Sequence, residues 1–408
     1  MEPSATGPTL RRALGVPLLV FYGLGVTVGA GIFALIGEIL GIAGDHAPQA
    51  FLFAGLIAAT TARSYVILSR RYPRAAGEAL YANAGFGPLA GRIAGLGVAL
   101  TGIVSSAVIT LAFAGYVGTL TGLPQPVQVV ALLTVLAAVA SFGVRESLVL
   151  AALITVLEVG TLALVAVVGL PLLADGEVLS RLTTLPADRA ALDLTMAAAV
   201  IAFFAFIGFE DIVNMAEEAK APERMLGPAI GLTLAVTIVL YVLIAAIAAA
   251  VPDRAAIADS DAPLADLFAG LTGLPAAPIS TIAAIAMVNG ILIQVVMASR
   301  VLYGMANEGL LPVWLAAVAP RRRTPIRATV AVAVLVAALA LTAPMLTLAQ
   351  ATGYVTLAVF ALINLSLFRL ATRRDWPGPR RQRWWGAFGA ALAAGLLLYE
   401  AQRHLIAG

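Results

Sequence analysis

Apolar residues along this chain neither alternate nor return every third or fourth position; they run on. Eleven such runs stand near residues 16–40, 48–70, 90–120, 127–143, 148–173, 194–218, 227–251, 277–305, 326–343, 346–369 and 385–402. Short segments holding Arg, Asp, Pro and Gly separate them. A helix of about 20 apolar residues covers the hydrocarbon core of a bilayer. A membrane barrel would instead show alternating segments of about ten residues. The pattern therefore predicts an all-α polytopic membrane protein with about eleven transmembrane helices. The third and eighth runs are long enough to tilt or to extend beyond the bilayer, and Glu400 cuts into the end of the eleventh.

Two of these runs are interrupted. Phe203 to Arg224 reads FFAFIGFEDIVNMAEEAKAPER, where Gly208, Glu210 and Asp211 arrive before the helix has crossed. A carboxylate at that depth marks a functional position, and a glycine beside it is where a helix can unwind and free backbone groups. The first run carries a second such stretch, GLGVTVGAGIFALIG over 23–37. Interruptions in runs one and six divide the first ten runs into five plus five. An odd number of helices per half inverts the second half relative to the first, the architecture of an inverted-repeat transporter. The expected organisation is a ten-helix core over 1–370, with repeats at 16–173 and 194–369. A cytoplasmic linker and one extra helix follow at 371–408.

Composition sharpens this picture. The chain is 61% hydrophobic and 12% charged, with mean hydropathy +0.99, values that exclude an ordinary soluble domain. It has no cysteine and two distant histidines, His46 and His404, so neither disulfides nor a His/Cys metal site is expected. The net charge of +3 is no sign of nucleic-acid binding, because the basic residues lie between spans. With the N-terminus in the cytoplasm, nineteen of the 25 basic residues fall on the cytoplasmic side, among them the run Arg321 to Arg323. Four fall outside, and Arg63 and Arg300 lie within spans near their inner ends, where they can snorkel. The first run lacks a small-residue cleavage site and is expected to be retained. The stretch GEALYANAGFGP over 77–88 is too small and polar to span, and is expected to form a short amphipathic or re-entrant piece.

Four stretches together resemble the amino acid/polyamine/organocation superfamily, in particular its bacterial amino acid permeases and the cationic amino acid transporter branch. GAGIF at 29–33 matches the glycine-rich signature of the first helix, and SYVILSRRYPRAAGEALYANAGFG at 64–87 resembles the second helix and the segment after it. FFAFIGFEDIVNMAEEAKAPERMLGPAI at 203–230 is similar to the sixth-helix signature, and ASRVLYGMANEGLLP at 298–312 to the end of the eighth. The resemblance implies a LeuT-like 5+5 inverted repeat with broken helices 1 and 6, and solute uptake by alternating access. Three departures stand out. Val66-Ile67-Leu68 replaces the common Ala-Glu-Leu of helix two, a twelfth helix is missing, and Glu158 stands in helix five where many members have lysine.

An amino acid offers a carboxylate and an ammonium. Amides exposed at Gly29-Ala30-Gly31 suit the first, and carbonyls freed near Phe204 and Ile207, beside Gly208, suit the second. Phe204 also resembles the aromatic position that covers substrate in relatives. Glu210 is expected in or just after the break, bonding free backbone groups or sensing protons, and Asp211 is expected to face the aqueous path. Glu217 and Glu218 are expected to be solvated or to pair with Lys220 or Arg224 at the helix end. Glu158, where relatives use lysine, would have to be protonated or hold a cation. Asn289 and Gln294 are expected to bond neighbouring helices. The expectation is an amino acid transporter of the inner (plasma) membrane, driven by a proton or sodium or working by exchange. It has membrane lipid around it, and no cofactor, bound metal or nucleic acid. No nucleophile, metal cluster or phosphate loop points to an enzyme. A polyamine or organocation transporter, and a transporter-like amino acid sensor, are the alternatives.

Overall fold

The computed structural model describes residues 14–73, 77–142, 148–216, 218–307, 311–319 and 324–407. A helix lies on each of the eleven apolar runs: α1 (Val16–Ala43), α2 (Ala47–Arg71), α4 (Pro88–Thr121), α5 (Gln125–Phe142), α6 (Leu148–Gly169), α8 (Arg189–Phe204), α9 (Pro222–Ala250), α12 (Ala277–Asn307), α13 (Ile326–Thr342), α14 (Met345–Thr372) and α15 (Gln382–Ala407). Four short helices fill the connections: α3 (Gly77–Phe86), α7 (Gly176–Thr183), α10 (Arg254–Ala258) and α11 (Pro263–Thr272). By length and composition, seven stretches among the described residues are fit to cross a membrane, with shorter apolar stretches at Val16–Val28, Gln125–Ser141 and Ile326–Thr342.

Local chemistry sets the ends. Prolines open α1, α2, α4, α9 and α11 within their first two positions, where the missing amide costs nothing. Gly122 and Gly273, both left-handed, close α4 and α11.

The packing has the form of a two-fold. Taking α8 as the counterpart of α1, the helices pair across the halves as α1 with α8, α2 with α9, α4 with α12 and α5 with α13. Cross pairs repeat it, α1 on α9 matching α8 on α2, and α1 on α6 matching α8 on α14. A buried asparagine ties the periphery to this core. Ser64 Oγ donates to Asn364 Oδ1 at 2.6 Å, and Asn364 Nδ2 donates to Thr61 Oγ1 at 2.8 Å, joining α2 to α14. Gly389 of α15 leaves room for that same side chain.

One end of the bundle is clasped shut. The Tyr116 hydroxyl of α4 donates to the Phe33 carbonyl of α1 at 2.9 Å and accepts the Leu264 amide of α11 at 3.2 Å. Asp45 pairs with Arg181 and Arg254 from two separate loops. At the opposite end, Leu14 exchanges backbone bonds with Glu218 and Lys220, each 3.0 Å long, which ties the chain entering α1 to the chain leaving the sixth span.

Candidate functional site

The sixth span breaks where expected. α8 ends at Phe204, the amides of Ala205, Phe206 and Ile207 turn back to carbonyls three residues earlier, and a 3-10 segment runs from Phe209 to Met215. Gly208 stands between them at φ 125°, a conformation that only glycine adopts without strain. Its amide would be orphaned in the turn, and the Glu210 carboxylate reaches back two residues to accept it at 2.8 Å. Phe204 and Ile207 are both buried. The Phe204 carbonyl, expected to be free, instead accepts the Ile207 amide at 3.1 Å.

The first span differs from expectation. α1 is a single helix from Val16 to Ala43 and passes through Gly29, Ala30 and Gly31 without a break. The sixth-span break packs directly on this stretch. A Cβ on Gly31 would stand 2.3 Å from Ala205 Cα, and one on Gly208 would stand 2.9 Å from the Val26 carbonyl carbon and 3.0 Å from the Thr27 amide nitrogen. Intact helix α1 thus lies directly against the sixth-span break. The two signature stretches do meet, through close packing of backbone rather than through two facing gaps.

Beneath the break lies a narrow cavity of about 20 Å³, room for about one water. Tyr65 of α2, Glu78 of α3, Thr101 of α4, Ile207, Glu210, Asp211, Gln294 of α12, and Thr356 and Phe360 of α14 line it. Three carboxylates and no basic side chain contribute. Glu78 is buried, and burial lifts its carboxyl from the ordinary 4.5 to about 7. The negative charge of Asp211 adds to that lift, while its own backbone amide and the Tyr65 hydroxyl act against it. Glu78 was not singled out as a site residue from the sequence. The available signal was a lone acid in the small-residue stretch GEALYANAGFGP. Gln294 belongs to this cavity.

Glu158 lies apart from it, in the middle of α6. Its side chain is fully buried, and neither carboxylate oxygen has a hydrogen-bond partner. One turn earlier, Thr155 donates to the Phe21 carbonyl of α1 at 3.1 Å, and across from it Tyr241 of α9 donates to the Thr27 carbonyl at 3.0 Å. The acid therefore lies on the part of α6 that packs against the first helix. Arg63 and Arg300 are exposed. Glu217 and the Arg321 to Arg323 run lie outside the described residues. No group of three acids, histidines or cysteines suited to a metal occurs among those described.

A bundle of long apolar helices in two matched halves, with one span opened at its middle against an intact helix, defines a multi-pass membrane protein of the transporter type. Residues 14–400 match the family model described as amino acid permease, and the chain belongs to that family. An uncharacterised transporter of Mycobacterium tuberculosis is 33% identical over 392 residues, covering 93% of this chain and 85% of the relative. The vacuolar cationic amino acid transporter 4 of Arabidopsis thaliana is 30% identical over 387 residues, 88% of this chain and 63% of that protein. Among solved structures, a Na⁺-coupled sialic acid symporter superposes with TM-score 0.61 over 94% of this chain and 89% of its own, at 12% identity. That likeness establishes the LeuT-like fold.

Proposed function

We propose that this protein is a secondary active transporter that carries amino acids by alternating access. It lies in the inner (plasma) membrane with its N-terminus in the cytoplasm, and residues 1–370 form the transport core. The observation that carries this reading is the sixth-span break, seated on α1 at Gly31 and opening onto a cavity whose charged lining is entirely acidic. Membership in the permease family supports it. The broken segment supplies the backbone for the substrate's ammonium, Phe204 and Ile207 flank it, and the Gly29-Ala30-Gly31 stretch of α1 supplies the close approach for the carboxylate. At 20 Å³ the cavity is too small for an amino acid, so binding requires α1 and the break to separate. Glu210 holds the break's geometry through Gly208, and Glu158 carries the coupling to a proton or to sodium.

The acidic lining favours a substrate with a cationic side chain, in line with the relatives named as cationic amino acid transporters. Counterflow in proteoliposomes tests this. Vesicles preloaded with unlabelled L-arginine or L-lysine should take up the labelled amino acid transiently above equilibrium, while L-glutamate should not exchange. Exchange of putrescine in place of every amino acid would instead establish a polyamine carrier. Binding without any counterflow would identify a sensor.

A further inference from the structure

A second polar cluster lies away from the acidic cavity, where α1, α6 and α9 meet. Five buried side-chain oxygens there lack any hydrogen-bond partner: both of Glu158 and the hydroxyls of Thr27, Thr233 and Thr237. Buried polar atoms are almost always bonded, and exceptions point to a bound species.

The threonines make the exception specific. A threonine inside a helix ordinarily turns its hydroxyl onto the carbonyl four residues back. Thr110, Thr161, Thr195, Thr352 and Thr356 of this protein all do so. Thr27, Thr233 and Thr237 do not, although each is buried.

Register brings these oxygens to one level. Two contacts align the helices: a Cβ on Gly23 would meet Thr233 Oγ1 at 2.8 Å, and one on Gly25 would meet Thr155 Oγ1 at 2.3 Å. In the inverted-repeat fold these three helices run in the same direction. One further turn along each therefore places Thr27, Thr237 and Glu158 at the same height. Tyr241 fixes the wall of this space by donating to the Thr27 carbonyl, and its phenol lies within electrostatic reach of Glu158.

We propose that Glu158, Thr27 and Thr237, with Thr233 one turn below, form a binding site for a sodium ion. The proposal rests on the transport reading only for its role as the coupling site. The ligands are hard oxygens, which suit a hard cation. Charge fixes the valence. Glu158 belongs to none of the ion pairs among the described residues, so a single positive charge neutralises the site, whereas a divalent ion would leave a net charge buried among apolar helices. The close packing at Gly23 and Thr233 favours the smaller alkali ion. The site also has a route to the break: Phe206 packs on Tyr241, ring centroids 5.2 Å apart.

The test uses the purified full-length protein in detergent, without amino acid, melted in NaCl, KCl or choline chloride at matched ionic strength and fixed pH. Sodium alone should raise Tm, and saturably, because an ion that binds only the folded state stabilises it. T27V and T237V keep the side-chain shape and should raise the half-saturating sodium concentration by about tenfold or more. E158Q should abolish the shift, T237S should restore most of it, and T110V should leave it unchanged. Equal melting of the wild type in the three salts overturns the site, as does wild-type sodium response in both valine variants. A protein stabilised by sodium that exchanges no amino acid would overturn the transport reading and keep the site. One that exchanges amino acids while blind to sodium would do the reverse.

Discussion

The first and sixth spans carry the same kind of invitation to unwind, glycine set among small and apolar residues at the middle of a long run, and they respond differently. α1 stays helical through Gly29-Ala30-Gly31, while the sixth span opens at Gly208. The difference lies in what receives the freed backbone. Beside Gly208 the Glu210 carboxylate takes the exposed amide, and the Asp211 amide returns to the Gly208 carbonyl at 3.1 Å. The nearest acid after Gly31 within α1 is Glu38, seven positions away. An unpaired amide in an apolar bundle costs more than glycine's flexibility returns, so glycine permits a break and a nearby acceptor decides whether one forms.

The largest test of that contrast is Gly208→Ala. The new Cβ would need φ near 125° and would press on the Val26 and Thr27 backbone at 2.9–3.0 Å. Destabilisation on the order of 3–5 kcal/mol is expected from strain and overlap together, read as a drop in Tm in detergent. Wild-type melting would mean that the break tolerates an ordinary residue.

Gly31→Val should cost less, roughly 1–3 kcal/mol, because α1 remains a helix and only its seat on Ala205, 2.3 Å from the added Cβ, is forced apart. Membrane insertion should survive and substrate binding should be lost. Retained binding at normal affinity would make Gly31 a packing residue alone.

The smallest effect concerns the acid beneath the break. Glu78 titrates near 7 in the folded protein against an ordinary 4.5. Between those values the folded state keeps a proton that the unfolded chain releases, so stability falls as pH rises through that window. Its contribution is fully favourable below 4.5 and lost above about 7, a total on the order of 3 kcal/mol at most. E78Q should flatten this part of the profile when Tm is compared at about pH 5 and about pH 8. An unchanged slope would place the titration on another group.

The eleven apolar runs were legible because solvation by lipid leaves a long apolar segment one option, a helix that satisfies its own backbone. The break at 204–208 was legible for a related reason, since a glycine followed by two acids cannot continue an apolar helix without cost. The membership of Glu78 in the site was not. Its neighbours Tyr65, Glu210 and Asp211 lie 13 or more residues away, and only the folding of α3 under the bundle brings them together.

Residues 16–402 by themselves thus determined the number and placement of the helices, the position of the sixth-span break and the burial of Glu158, because each follows from local hydropathy and backbone chemistry. Tertiary structure alone decided what the closed α1 rests on, with Ala205 lying against Gly31. It alone left the buried hydroxyls of Thr27, Thr233 and Thr237 without a hydrogen-bond partner. These features depend on the register between helices distant in sequence, and that register is set by side chains meeting across interfaces that no single segment encodes.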